Sequence, residues 1–274
     1  MPHAPRYDEP FYWWGPGWAP RASLGFADLI RNGTIAPASG ALLWAALARR
    51  RSLAVIGGPS GLGKSTLLWA LRDLLPPGSR RLYPRGCFET FAFLDDPAIE
   101  PRNSVLLLNE ISPHLPVYTW GPAVARVLEA AEQGFALLGA AHAESVTGFV
   151  ALLSGSPLRI PPRRVAAFEF IALLEPTPAV ESGRRVTNVW RLRPARDGVM
   201  VETLYQDWEE GSALDGGFVA GLTAFDAFPA GELERRRALL ADLQLGVLAD
   251  LPVDLPGPGD KNGADRATPG RLSP

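Results

Sequence analysis

The sequence is short of several residue types, and each shortage removes a class of function. Among its 274 residues there is one cysteine, Cys87, so no disulfide framework can form within the chain. The three histidines, His3, His114 and His142, are too few to build a Cys/His zinc cluster with it. No apolar run approaches the ~18 residues of a membrane-spanning helix. The runs at Phe135–Ala143 and Ile171–Leu174 are short and read as buried strands. Met1–Trp18 lacks the basic-then-apolar order of a signal peptide. A cytoplasmic protein is the expectation. Excess charge is missing as well: 27 basic and 29 acidic side chains leave a net charge of -2, which argues against a protein that coats nucleic acid. Lysine is scarce too. Of the 27 cations only Lys64 and Lys261 are lysines; the other 25 are arginines.

What is present is a globular composition, 47% hydrophobic, in a chain long enough for one large domain or two small ones. Residues 1–22 are rich in proline and aromatics (Phe11, Tyr12, Trp13, Trp14, Trp18) and read as an arm lying on the domain's own surface or docking a partner. Residues 24–50 read as two helical pieces, the first ending at Gly33 and the second running from Ala41 to Arg50. A core over 51–210 follows, then a C-terminal helical segment over 211–252, containing an amphipathic helix at Glu232–Leu248. Residues 253–274, rich in Pro and Gly, read as a disordered tail.

Within the core, strand and helix alternate. Leu53–Ile56 is a continuous apolar run, as a parallel strand covered on both faces requires. A helix is expected from Lys64 to about Leu75, a strand over Arg81–Phe93 interrupted at Pro84, and a short strand at Val105–Leu108. Further on come a helix from Pro122 to Gln133, a strand at Phe135–Ala141, a helix at Glu144–Leu153 and a strand at Val165–Leu174. Arg185–Leu192 and Gly198–Tyr205 form a hairpin. The fold class expected is α/β with a parallel-dominated sheet, a short helical N-terminal extension and a C-terminal helix.

Between the first strand and its helix lies Gly58-Pro59-Ser60-Gly61-Leu62-Gly63-Lys64-Ser65-Thr66, which fits G-x-x-x-x-G-K-[ST]. Its glycines let backbone N–H groups turn inward onto phosphate oxygens. Lys64 supplies a cation for the β and γ phosphates, and Ser65 a hydroxyl for Mg²⁺. The helix N-terminus adds its positive end. ATP and Mg²⁺ are the ligands this implies. In such proteins a second strand ends in acid near the metal and the attacking water. Ser104–Leu108 runs into Asn109-Glu110 here: Asn109 can accept from a metal-bound water, and Glu110 can activate water. Glu89 is a second candidate base. His142, ending the Phe135–Ala141 strand, stands where it can sense the γ-phosphate. His114 and His3 receive no role.

Taken together these residues resemble the motor domain of type II/IV secretion and type IV pilus ATPases, a RecA-like P-loop family. The resemblance rests on Gly58–Thr66, the strand ending in Asn109-Glu110-Ile111, the strand leading to His142, and Arg184-Arg185-Val186-Thr187 opening a β segment. It spans roughly residues 24–205. Ser112-Pro113-His114 stands where that family carries Arg-Asp, and only about 50 residues precede the loop, so a truncated or divergent member is expected. The resemblance implies ATP hydrolysis coupled to conformational work, a homo-oligomer (a hexamer in that family), secretion or pilus machinery as partners, and a peripheral position at the inner face of the membrane through them. Two other readings stay open: a non-hydrolysing nucleotide-dependent regulator, and a DNA-directed RecA-like ATPase.

Overall fold

Leu53–Ile56 (β1) is buried along its whole length because strands flank it on both sides and helices cover both its faces. The computed structural model describes residues 7–8, 10, 24–58, 60–207, 228 and 231–251. The rest of the aromatic arm, Pro59, about half of the 211–252 segment and the tail lie outside the described residues.

The elements are α1 (Phe26–Arg31), α2 (Pro37–Leu47), β1, α3 (Lys64–Arg72), β2 (Arg80–Leu82), β3 (Ser104–Ile111), α4 (Pro122–Glu132), β4 (Ala136–Ala141), α5 (Val146–Ser154), α6 (Pro162–Val165), β5 (Phe170–Pro176), β6 (Arg184–Ala195), β7 (Gly198–Gln206) and α7 (Glu232–Gln244). One seven-stranded sheet runs in the order β2-β3-β4-β1-β5-β6-β7. The first five strands are parallel, and β6 and β7 add an antiparallel hairpin at one side. This is the α/β architecture with a parallel-dominated sheet that the sequence led us to expect. Because β4 is inserted between β1 and β3, the segments following those three strands meet at one edge, where open α/β sheets bind ligands.

Two apolar layers hold the sheet. Val55, Leu107, Leu138 and Leu174 face α1, α2, α3 and α7. Ala54, Ile56, Leu106 and Leu137 face the layer containing α4 and α5. The period of two along β1 and β3 separates these sets. Among the described residues no helix is long and apolar enough to cross a membrane.

Several boundaries differ from expectation, each for a local reason. The second helical piece starts at Pro37, a residue suited to the first helical turn, and ends at Leu47. Arg50 has φ of 51°, outside the helical region, so the helix stops short of the expected end at Arg50. The strand expected over Arg81–Phe93 is only three residues long. Tyr83 still donates to Tyr7 O (3.0 Å), but Pro84 has no N–H to extend the ladder, and 3₁₀ turns follow at Gly86–Phe88 and Ala92–Leu94. The apolar run from Val165 is split: Pro161-Pro162 opens the short α6, and Phe168 packs edge-on against Phe149, before β5 begins at Phe170.

Helix α7 joins this core through charge as well as apolar contact. Arg49 makes a forked ion pair with the buried Glu232, with Nη1 to Oε1 at 2.8 Å, and Arg236 reaches the same carboxylate at 3.0 Å. Burial alone would raise the Glu232 carboxyl, but the two guanidiniums outweigh it and hold the group below its ordinary value. Removing the anion would strand two largely buried cations. Glu232→Gln should therefore destabilise the fold by about 3 kcal/mol in urea titration at neutral pH. A carboxyl depressed in the fold stabilises it fully above its unfolded value and loses that contribution as pH falls through the folded value. The gap between wild type and variant should accordingly close below the ordinary carboxylate range.

Candidate active site

The loop after β1 is shaped by what packs behind it. Gly63 has φ of +102°, and a Cβ there would lie 2.5 Å from Nη1 of Arg184. That guanidinium donates to Leu62 O at 2.8 Å, so the first residue of β6 holds the loop from outside. Gly58 is similarly confined, since a Cβ there would meet the Glu144 side chain at 2.7 Å. Immediately after Gly63 begins α3, whose N-cap offers no side chain to its first N–H groups. Those donors and the helix dipole face the loop, the arrangement that binds phosphate.

Lys64, in the first turn of α3, is buried. Its ammonium donates to Gly57 O at 3.1 Å and lies 3.4 Å from Nδ1 of His142. Burial lowers the Lys64 pKa, and the Glu110 carboxylate works in the opposite direction. His142 follows β4, the strand between those of the loop and the acid, which is why its ring lies between the loop and β3. Its Nδ1 is also 3.3 Å from Gly57 O. As an acceptor that nitrogen receives a hydrogen bond from the Lys64 ammonium; as a donor it gives one to the Gly57 carbonyl. The His142 pKa is lowered, first by burial and then by the Lys64 cation, while Glu110 pulls the other way. The imidazole is therefore held neutral at physiological pH.

Glu110 reaches the site through an irregularity in β3. Leu108 pairs with Gly139 and Ile111 with Ala141, so β3 advances three residues while β4 advances two. The extra residue lets Leu108 and Ile111 pack in the same apolar layer, which strict alternation forbids. Glu110 then joins Ser60–Thr66, His114, Tyr118 and His142 around a cavity of about 430 Å³. Thr119 donates to Glu110 O at 2.9 Å and Ser112 to Thr119 O at 3.3 Å. These bonds fold residues 112–118 back as a closed loop, which carries His114 and Tyr118 over the cavity. His114 stacks edge-on to His142 with ring centroids 5.5 Å apart. Burial and the nearby Glu110 raise the Tyr118 pKa, keeping its hydroxyl protonated.

The structure thus gathers Gly61, Leu62, Gly63, Lys64, Ser65, Thr66 and Ser60 with Glu110 and His142. Glu89 is not among them. Its carboxylate accepts from the backbone N–H of Arg85 (3.0 Å) and of Phe91 (2.8 Å), closing its own turn. Asn109 is buried beside Glu110 and does not line the cavity. His114, Tyr118 and Arg184 were not assigned to the site from the sequence. A usable signal existed for His114: it lies four residues beyond Glu110, in a proline-flanked loop after a strand whose end faces the ligand edge. Among the described residues no group of three or more His, Cys, Asp or Glu side chains could hold a metal by itself. The oxygen donors at hand, Ser65 and Glu110, suit Mg²⁺, which binds through few protein ligands together with substrate phosphates.

The chain is similar in structure to the VirB11 ATPase from the Brucella suis type IV secretion system, solved in complex with sulphate. The match has a TM-score of 0.40 and 19% identity, and it covers 54% of this chain and 50% of that one. The chain spans about half the length of that solved structure. No protein-family model and no curated protein matches the sequence.

The charge couplings can be read directly at His142. Its imidazole midpoint, followed by NMR, should lie below the ordinary 6.5. Lys64→Met should move it up by removing a cation, and Glu110→Gln should move it down by removing an anion. Opposite shifts would show that His142 does not sit between these two charges.

Proposed function

We propose that this chain binds Mg-ATP at the Gly58–Thr66 loop and hydrolyses it, as a motor of the secretion and pilus type. The observation that carries this reading is the convergence of Lys64, Glu110 and His142 on one cavity at the N-terminus of α3. A phosphate-loop lysine alone would suit any nucleotide-binding protein. An acid and a neutral imidazole facing the same ammonium suit a site where phosphate charge changes.

In this reading the first N–H groups of α3 and the loop backbone hold the β and γ phosphates, and Lys64 leaves the Gly57 carbonyl to neutralise them. Ser65 and, through water, Glu110 are the residues that would hold Mg²⁺, which supplies further charge neutralisation on the phosphates when bound; Asn109, expected there from the sequence, does not line the cavity. Glu110 orients a water for in-line attack on the γ-phosphorus and takes its proton; the bond to the β–γ bridging oxygen breaks and ADP leaves with that oxygen. His142, hydrogen-bonded near Lys64 and Gly57, reports loss of the γ-phosphate to α5 through the Ala143–Ser145 turn. Glu89 is retained as a base only if Glu110 proves dispensable.

Among the described residues lining the cavity, Lys64 is the one permanent cation. A hydrolysing site needs more positive charge than this, which we attribute to a neighbouring copy in a homo-oligomer, a hexamer in the family it resembles. The same observation favours one second reading, a nucleotide-dependent switch that binds without turnover. The proposal places the protein in the cytoplasm, held at the inner face of the membrane by secretion or pilus components.

Lys64→Ala should abolish ATP binding in calorimetry, and unchanged affinity there would remove the loop from the account. Glu110→Gln should bind ATP as wild type does while turnover falls at least about 100-fold. Turnover at the wild-type rate in that variant would transfer the base to Glu89.

A further inference from the structure

The opposite edge of the sheet holds a second concentration of chemistry that the nucleotide reading does not use. A cavity of about 480 Å³ lies at the amino ends of β1, β4 and β5, with Arg50, Arg51, Glu169, Arg191 and Arg193 in its wall. The topology explains the gathering. Arg50 and Arg51 lie just ahead of β1, separated from it by Ser52, and Glu169 immediately precedes β5. Strand β6 runs antiparallel, with Arg191 paired opposite Phe170, so Arg191 and Arg193 arrive at the same edge.

The charges in this wall do not balance. Glu169 is shared between Arg191 at 2.8 Å and Arg51 at 3.3 Å. Arg193 has an ion pair with Glu202 of 3.7 Å, too long for a hydrogen bond. Arg50 bonds Asn103 Oδ1 at 3.1 Å and Ser79 Oγ at 3.4 Å, both neutral, so its charge stays uncompensated by them. Among the described residues, four guanidiniums therefore line a cavity with one carboxylate, and counting Glu202 still leaves a positive excess. The backbone adds a separate observation. Arg50 has φ of 51°, in the left-handed region, just past the end of α2, where a glycine would be unstrained. Its side chain is nonetheless fixed towards this edge by Asn103.

We propose that this cavity is a second anion site, taking a phosphate-bearing small molecule. Phosphate is the chemistry that several planar guanidinium forks recognise together, each offering paired N–H donors. The volume exceeds that of a single inorganic phosphate and admits pyrophosphate or a nucleotide. The site faces away from the loop: β1, about 13 Å of strand, separates the two edges. Occupancy here would tie the amino ends of β1 and β5 to β6, the strand whose other end holds the loop through Arg184.

Pyrophosphate titrated into the Lys64→Ala protein, with the loop site disabled, tests the proposal by calorimetry. Saturable binding at one site per chain is expected, weakened at least tenfold by Arg193→Ala in the same background. Arg51, 44% exposed, provides a second substitution that leaves the fold intact, and Arg51→Ala should weaken binding in the same direction. ATP in place of pyrophosphate distinguishes the source of the phosphate: tighter binding assigns a nucleotide and equal binding a free polyphosphate, and either supports the site. Absence of binding in Lys64→Ala, or affinity unchanged in both arginine variants, overturns it. The two readings fail separately, because the loop assignment depends on Lys64 and this one on Arg193 and Arg51.

Discussion

The site depends on one topological constraint, the insertion of β4 between β1 and β3. A parallel sheet places the carboxyl ends of its strands at one edge, and this order sets the Gly58–Thr66 loop and the strand-end Glu110 on either side of the residue that follows β4. His142 is that residue. Its ring can meet Lys64 on one side and feel Glu110 on the other only because its strand is the middle one. The one-residue irregularity in β3 completes the arrangement by releasing Glu110 from the alternation that packs Leu106 and Leu108. Helices α1, α2, α3 and α7 on one face and α4 and α5 on the other keep these three strand ends in register by burial.

The scarcity of lysine has a structural counterpart. Arginines serve where a planar fork is useful: Arg49 and Arg236 on Glu232, Arg191 on Glu169, Arg184 on the Leu62 carbonyl. Lys64 occupies a buried position between a carbonyl and an imidazole, at the N-terminus of a helix. A compact ammonium on a flexible stem can exchange that carbonyl for a phosphate oxygen, a movement that a rigid guanidinium would make less easily. The second cavity repeats the contrast, since among the described residues its wall contains arginines and no lysine.

The features legible in the sequence were those written locally. The glycine spacing around Lys64, the apolar run ending at Glu110, the strand leading to His142 and the hairpin of Arg185–Leu192 with Gly198–Tyr205 each carry their own signal, and the elements formed close to where they were expected. The illegible ones depend on distant partners. Nothing near Glu89 announces that its carboxylate closes the Arg85–Phe91 turn, because that follows from the 3₁₀ path forced after Pro84. Val165–Phe168 has the composition of a strand, and only the Pro161-Pro162 start turns part of it into helix. His114 enters the site because Thr119 returns to pair with Glu110, a contact between backbone groups that side-chain patterns do not encode. The sheet order, which brings the whole site together, is likewise a property of the assembled layers.

The central claim is that the loop, Glu110 and His142 form a hydrolytic site and not merely a nucleotide cradle. The most direct measurement is a single-turnover assay: wild-type protein in excess over γ-labelled ATP, with and without Mg²⁺, and the labelled phosphate counted over time. The account predicts Mg²⁺-dependent release that consumes all the bound ATP. ATP recovered intact from the protein, at every protein concentration tried, would contradict it.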